Sequence, residues 1–147
     1  MAAVARPTAS FDAEAIERAE AALKALSVNF KEWMTQEVER LETARANARM
    51  AGFSNESLEK LYLRAHDVKG LGSTYEYPLI TAVAAQLCRL LSAPEGKVAA
   101  RETPTLIDAH VDAVRAILRA DLRNGADPVV AALVEELKSR VDRWARE

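Results

Sequence analysis

One short stretch of the sequence, Ala65 to Ser73, carries side chains that could do chemistry; it reads A-H-D-V-K-G-L-G-S. A neutral imidazole has a ring nitrogen with a free lone pair, so His66 can act as a nucleophile without a dedicated base. Lys69 adds a positive charge three residues later, where it would stabilise an anionic group, such as a phosphoryl, on that ring. This pattern indicates a histidine that accepts an anionic group.

Helix geometry places Lys69 and Gly70 beside His66. At about 100° per residue, they lie on either side of the histidine, each roughly one turn toward the C-terminus. Helical side chains lean toward the N-terminus, so the stem of Lys69 points back toward the His66 ring. A glycine inside a helix costs roughly 1 kcal/mol relative to alanine. We expect the missing side chain of Gly70 to leave room for another protein to approach the ring.

His66 is expected at the border between the core and the solvent. The apolar stripe of its helix consists of Leu58, Leu61, Ala65, Val68 and Gly72. His66 falls roughly 100° from the centre of that stripe, and Tyr62 and Leu63 are candidates for a small apolar docking patch around it. A purely structural interpretation of these residues stays open. A histidine and a lysine at this spacing also occur by chance, and Gly70 and Gly72 could simply end the helix.

The first third of the chain predicts helix. Its apolar residues recur at steps of three and four, at Ile16, Ala19, Leu23, Leu26, Phe30 and Trp33. This spacing is typical of one face of a helix. Asn29 and Glu32 are spaced like a capping box, so residues 12–26 and 30–49 form either two helices or one long helix.

Caps and prolines predict the later helices. Ser54 or Asn55 caps the helix that carries His66, and residues 93–102 read as a surface connection. Further helices are predicted to open at Pro78, at Thr103-Pro104 and at Asp127-Pro128, and the last runs to about Ala145. No segment alternates like a half-buried strand. The sequence therefore predicts an all-α fold of five or six antiparallel helices around a four-helix core.

Composition and charge narrow the class of protein. The chain has 147 residues, of which 50% are hydrophobic and 29% charged, as in a single compact helical domain. A net charge of -2 argues against nucleic acid as a partner, and no stretch is apolar enough to span a membrane. Residues 1–10 read as a flexible N-terminus before one domain over 11–147. The single Cys88 and the lack of a signal peptide indicate a cytoplasmic protein.

Other residue types give weaker candidates. His110, at the edge of an apolar face, is expected to be a hydrogen-bonded helix residue rather than a ligand. Trp33 and Trp144 are expected in the core, and Cys88 as a small buried hydrophobe. Two histidines and one cysteine form no zinc cluster, although a haem bound by His66 and His110 is a remote alternative. Without a glycine-rich nucleotide loop, the chain should not phosphorylate itself from ATP.

The stretch around His66 resembles the signature of histidine-containing phosphotransfer (Hpt) domains, in which H-x-x-K-G lies in a bundle helix. The resemblance continues through Tyr77-Pro78 and L-I-T-A-V-A-A-Q-L-C-R-L-L, so it covers residues 55–92. It implies an antiparallel four-helix bundle with one or two additional helices. It also implies that His66 is the phosphoacceptor, that Lys69 steadies the phosphoryl oxygens, and that Gly70 gives clearance for docking.

The resemblance implies partners as well. A phosphorelay intermediate of this kind exchanges its phosphoryl group with receiver-domain aspartates, between a hybrid histidine kinase and a response regulator. No cofactor of its own is implied, because Mg²⁺ would belong to the receiver. The chain departs from the family pattern at two positions. Many members have glycine where this chain has Glu76, and some have a glutamine near the histidine where it has Cys88, which leaves Gln86 as a weak candidate for that role.

A second function from another class stays open. The same bundle could dock on a receiver or kinase and modulate it without carrying phosphate. The long amphipathic N-terminal segment exceeds what a four-helix core needs, and it could mediate a dimer or a partner contact. The presence of both His66 and Lys69 favours the carrier over this interaction module.

Overall fold

The computed structural model describes residues 8–125 and 127–144. The helices within these ranges are α1 (Thr8–Met50), α2 (Asn55–Thr74), α3 (Pro78–Ser92), α4 (Pro94–Glu102), α5 (Pro104–Arg119) and α6 (Pro128–Asp142). No strand occurs in them, and the predicted all-α class is confirmed. Most of the predicted flexible N-terminus, residues 1–10, and the predicted helix end near Ala145 lie outside the described residues.

Four of the helices form the bundle. α1 packs against α2 and α5, and α3 packs against the same two helices, so that α1, α2, α3 and α5 close a ring. α4 connects α3 to α5, and α6 lies against α3. The largest side chains that are completely buried in the core are Tyr77, Met34, Leu41, Leu58, Leu61, Ile80, Leu87, Leu90, Leu91, Ile107, Ile117 and His110. The predicted four-helix core with additional helices is confirmed.

α1 is a single unbroken helix, which decides between the one-helix and two-helix alternatives. Its second half buries an apolar stripe against the bundle, including Met34, Val38 and Leu41. Its first part has no such cover, since Ile16 is 58% exposed and Leu23 is 59% exposed. Helix formation in the first part extends from the packed part, which has already met the cost of nucleation.

The prediction that residues 93–102 form a surface connection is wrong. Residues 94–102 form α4, in which Ala99 and Ala100 are completely buried. Two alanines give little signal in an apolar periodicity, although their small size lets a helix lie close to its neighbours. The next helix start also differs from the prediction, because Thr103 makes no side-chain capping bond. Asp127 does cap α6 as predicted, and it accepts hydrogen bonds from two backbone N–H groups.

Charged side chains join α1 to α5. Arg45 donates hydrogen bonds to Asp108 and Asp112, both at 3.0 Å, and it pairs with Glu42 on its own helix. Arg115 on α5 donates to Glu42 at 2.7 Å. The hydrogen bond from Arg45 holds the pKa of Glu42 below its usual value. Isolated ion pairs on the surface contribute little to folding stability. Here the pairs share Arg45 and Glu42, and this network sets the register of α1 against α5.

Candidate functional site

The start and length of α2 determine where His66 lies. The hydroxyl oxygen of Ser54 accepts a hydrogen bond of 3.2 Å from the backbone N–H of Ser57 and caps the helix. From there α2 continues to Thr74, so Gly70 and Gly72 do not end it. The predicted apolar stripe is buried, and it is formed by Leu58, Leu61, Ala65, Val68 and Gly72. His66, off this stripe, is exposed to solvent.

Tyr62 and Leu63 form the N-terminal side of the surface around His66. The ring of Tyr62 lies 6.1 Å from the ring of His66, measured between centroids. Leu63 is 55% exposed, as the docking-patch prediction requires. Within the described part of the chain, neither ring nitrogen of His66 is engaged in a hydrogen bond. The imidazole is therefore open to an incoming group.

Lys69 lies at the boundary between α2 and α3, where its side chain is partly buried. Cys88 on α3 is 5% exposed. Burial raises the pKa of its thiol, and the nearby positive charge of Lys69 offsets part of this increase. Cys88 thus neighbours Lys69, on the α3 face where sequence reasoning placed it. No described residue forms an ion pair or hydrogen bond with the Lys69 ammonium. The Lys69 ammonium, one helical turn after His66, can therefore pair with an incoming anionic group.

Gly70 and Gly72 serve different purposes. A Cβ atom on Gly70 would meet nothing within 4 Å, so this side of the helix is open. A Cβ atom on Gly72 would lie 3.0 Å from the backbone nitrogen of Thr81 and 3.2 Å from the carbonyl oxygen of Tyr77. α3 therefore approaches α2 closely at Gly72. Sequence reasoning placed Gly72 on the buried stripe but missed Thr81, whose only signal was a threonine among the apolar residues that begin α3.

The turn between α2 and α3 contains Glu76, one of the two departures from the family pattern. Glu76 has a backbone φ of 65°, in the left-handed region that glycine adopts without strain. The glycine that many Hpt domains have in this turn suits that conformation. In this chain the Glu76 carboxylate lies 4.0 Å from the guanidinium of Arg123.

Arg123 holds the same turn against the rest of the bundle. It donates hydrogen bonds to the carbonyl oxygens of Tyr75, at 3.2 Å, and of Ser27 on α1, at 3.1 Å. It also donates to the hydroxyl of Tyr77 at 2.8 Å, and its guanidinium carbon lies 4.1 Å from the centre of that ring. The Tyr77 hydroxyl donates in turn to Asp121 at 2.6 Å. These contacts fix the end of α2 relative to α1 and α5.

A groove of about 1260 Å³ runs between α1 and α2. Leu63 and Asp67 line it from α2, and Glu39 lines it from α1. Asp67 pairs with Arg64 at 3.5 Å, on the solvent side of α2. His66 does not line this groove, which follows the flank of α2 that faces α1.

The remaining candidate residues, His110 and Trp33, pack against other parts of the fold. His110 is completely buried rather than at an edge, and its Nδ1–H donates to the carbonyl oxygen of Leu106 at 2.7 Å, as a hydrogen-bonded helix residue. Trp33 was expected in the core, but it is 40% exposed and packs on Phe30 and Tyr75. Among the described residues, no group of three or more His, Cys, Asp or Glu side chains is placed to hold a metal ion.

Comparison with known proteins identifies the family. A model of the Hpt domain matches residues 25–147. The chain belongs to the Hpt domain family. The match extends beyond residues 55–92 on both sides, so it includes α1 from residue 25 onward and α5 as well as α2 and α3. Membership in this family implies histidine phosphotransfer in phosphorelay signalling.

Two further comparisons gave no match. Neither the curated proteins nor the solved structures contained a significant relative of the chain. Among the helices that the structure describes, none combines the length and the apolar character needed to cross a membrane.

Proposed function

We propose that this Hpt domain is a phosphorelay intermediate that carries a phosphoryl group on His66. It would receive the group from the receiver aspartate of a hybrid histidine kinase and pass it to the receiver aspartate of a response regulator. The observation that supports this proposal most is the exposed His66 ring, free of hydrogen bonds to described residues, in the family motif H-x-x-K-G. An exposed nucleophile in that motif can be reached by a second protein.

For phosphoryl transfer, this chain has to provide one nucleophilic ring nitrogen. The lone pair of a neutral ring nitrogen attacks the phosphorus of an aspartyl phosphate, and the new N–P bond forms as the P–O bond breaks. The electrons of the broken bond stay on the receiver's carboxylate. Transfer to the second receiver is the reverse reaction. Positioning and charge stabilisation dominate such transfers, and the Mg²⁺ they use would be held by the receiver's acidic site.

Lys69 would steady the phosphoryl oxygens during transfer. Its ammonium is not engaged by any described residue, and its helical position directs its stem toward His66. Hydrogen bonds from a charged donor to anionic oxygens are about twice as strong as neutral ones. Lys69 would therefore favour both the transition state and the phosphorylated histidine.

The docking surface would surround the histidine. Tyr62 and Leu63 supply an apolar edge on one side, and the open space at Gly70 supplies clearance on the other. Interfaces of this kind place apolar contacts at the centre and charged groups at the rim. The Arg64–Asp67 pair lies where such a rim would be.

A transfer assay tests the proposal. The protein is incubated with a phosphorylated receiver domain and Mg²⁺, and we expect it to gain a phosphate that is labile in acid and stable in base. His66→Gln should abolish the labelling. Glu59→Gln, at an exposed position of the same helix, should label as the wild type does. Labelling of the His66→Gln variant would refute the assignment.

The interaction module is the second candidate, and the exposed apolar side chains of the first part of α1 favour it. Such a module would bind a receiver or a kinase and modulate it without transfer. The same samples distinguish the two functions. Receiver binding that His66→Gln leaves unchanged, together with no transfer in the wild type, would identify the module.

A further inference from the structure

The first part of α1 presents an apolar stripe that no part of the described chain covers. Between residues 12 and 26 no side chain is buried. Ile16 is 58% exposed, Leu23 59% and Leu26 42%, all on a helix that continues without a break into the bundle. Amphipathic helices normally bury such a stripe against another element.

The stripe has the spacing of a coiled-coil seam. Its members alternate at steps of three and four residues, in the order Ile16, Ala19, Leu23, Leu26, Phe30 and Trp33. In heptad terms these are successive first and fourth positions, the ones that face a second helix. At the inner end, Phe30 and Trp33 already pack on Tyr75, with ring centroids 5.5 and 5.7 Å from it. We name the four outer residues, Ile16, Ala19, Leu23 and Leu26, the α1 seam.

We propose that a second copy of this chain covers the α1 seam, with the two seams antiparallel. In this arrangement first heptad positions pair with fourth positions, so Leu23 lies opposite Ala19 of the other copy on each side of the two-fold axis, and Ile16 lies opposite Leu26. The small side chain of Ala19 then faces the large one of Leu23, as close packing of two helices requires. A two-fold dimer uses the same surface on both copies.

The charges along α1 favour the antiparallel orientation. Residues 12–20 contain four acidic side chains and one basic one, whereas residues 21–31 contain Lys24 and Lys31 and no acidic side chain. Antiparallel pairing places the acidic part of each helix beside the basic part of the other. It also opposes the two helix dipoles. Parallel pairing would instead align the two acidic parts.

The proposed dimer leaves the histidine accessible. Glu39 of α1 and Asp67 of α2 line the same groove, so Glu39 marks the level of His66 along α1. In the antiparallel pair the described part of the second copy's helix ends at Thr8, opposite Met34, about 8 Å before Glu39 along the helix. The contact uses no residue of the proposed phosphotransfer site, so either proposal can fail without the other.

Sedimentation of the full chain tests the dimer. Over micromolar to sub-millimolar concentrations, we expect the wild type to shift from the mass of one chain to that of two. Leu23→Glu would place a carboxylate in the apolar contact on each side of the axis, and we expect it to remain a single chain. Ala21→Glu adds the same charge on the opposite face of the helix, at an exposed position, and should still dimerise.

Leu23 has no buried contact to lose within its own chain, so at concentrations low enough for both variants to be single chains, the helix content and the melting temperature of Leu23→Glu should match those of the control. A wild type that sediments as one chain at every concentration would overturn the proposal. Association that persists equally in Leu23→Glu would overturn it as well, because the contact would then lie elsewhere.

A spin-label distance tests the orientation. A label at Asp12→Cys, with Cys88→Ser to leave a single thiol, has its counterpart at the far end of an antiparallel pair, about 30 Å away. A parallel pair would bring the two labels to roughly 10 Å, the spacing of neighbouring helices. The short distance would refute the antiparallel arrangement, and the long one would support it.

Discussion

The hydroxyl group of Thr81, on α3, donates a hydrogen bond of 2.8 Å to the backbone carbonyl oxygen of Lys69, on α2. This carbonyl belongs to the residue that we propose to act beside His66. The bond is available because Gly72 has no side chain to separate the two helices. The segment of α2 after His66 is thus tied to its neighbour through its backbone, while the Lys69 side chain stays free to act.

Gly72→Ala is expected to destabilise the protein by about 1 to 3 kcal/mol, as overpacking does in a well-packed core. The added carbon would lie 3.0 Å from the backbone nitrogen of Thr81, which cannot move without shifting α3. Denaturant unfolding measures the change in the free energy of unfolding.

Gly70→Ala is the matched control for this substitution. It adds the same methyl group two residues away, where nothing lies within 4 Å. Here we expect a gain of about 0.5 to 1 kcal/mol from helix propensity. If the two variants had equal stabilities, the close approach at Gly72 would not be a constraint.

Lys69→Ala is expected to slow phosphotransfer by about 10- to 100-fold, since hydrogen bonds to charged groups contribute about 1.5 to 3 kcal/mol. Its ammonium has no partner among the described residues, so stability should change by less than about 0.5 kcal/mol. Transfer rates from a phosphorylated receiver and unfolding curves are measured on the same preparation. Lys60→Ala, on the exposed side of α2, is the control. Wild-type kinetics in Lys69→Ala would remove this residue from the mechanism.

Tyr77→Phe should destabilise the protein by about 1 to 3 kcal/mol at neutral pH, because Asp121 and Arg123 lose a buried partner. The wild type should also show a specific dependence on alkaline pH. Burial and the bond to Asp121 raise the pKa of Tyr77 to about 12. The unfolded chain therefore loses this proton first, and stability falls from about pH 10 upward.

Unfolding curves of both proteins across this alkaline range provide the test. Other groups titrate there too, so the informative quantity is the difference between the wild type and Tyr77→Phe. It should shrink as the pH rises. A constant difference would show that the hydroxyl does not titrate with a raised pKa.

His110 predicts a dependence on acidic pH. Burial lowers the pKa of its imidazole, so the folded state holds it neutral while the unfolded chain takes up a proton. Stability should therefore fall as the pH drops below about 6.5, the ordinary value for histidine. His110→Phe keeps a ring in the core and removes the titration. We expect its stability to depend less steeply on pH between neutrality and about 5.5, and equal slopes would exclude His110 as the cause.

Local signals in the sequence were enough to predict the helix that carries the site. The stripe of α2 follows helical spacing, and the Ser54 cap and Pro78 lie where their chemistry requires them. The exposure of His66 follows from the stripe by geometry alone. Contacts between distant residues left no such signal. Arg123 reaches Ser27 across 96 positions of sequence, and only the folded chain shows that it holds the turn after α2.

Two predictions failed because side-chain type was a poor guide to burial. Trp33 lies on a helical apolar stripe, yet the bundle ends before covering it, so the ring is 40% exposed. α4 was missed because its buried residues are the small Ala99 and Ala100. In both cases burial depended on which helix lies opposite, which the pattern of a single segment does not contain.

The continuity of α1 gives the molecule a distinctive shape in solution. Its 43 residues make a helix about 65 Å long, whereas a compact chain of 147 residues has a radius of gyration of only about 15 Å. The helix is therefore longer than a compact body of this mass is wide. Hydrodynamic drag and rotational diffusion then depend on the length of one rod more than on the volume of the bundle, and the monomer tumbles more slowly about its short axes than its mass suggests.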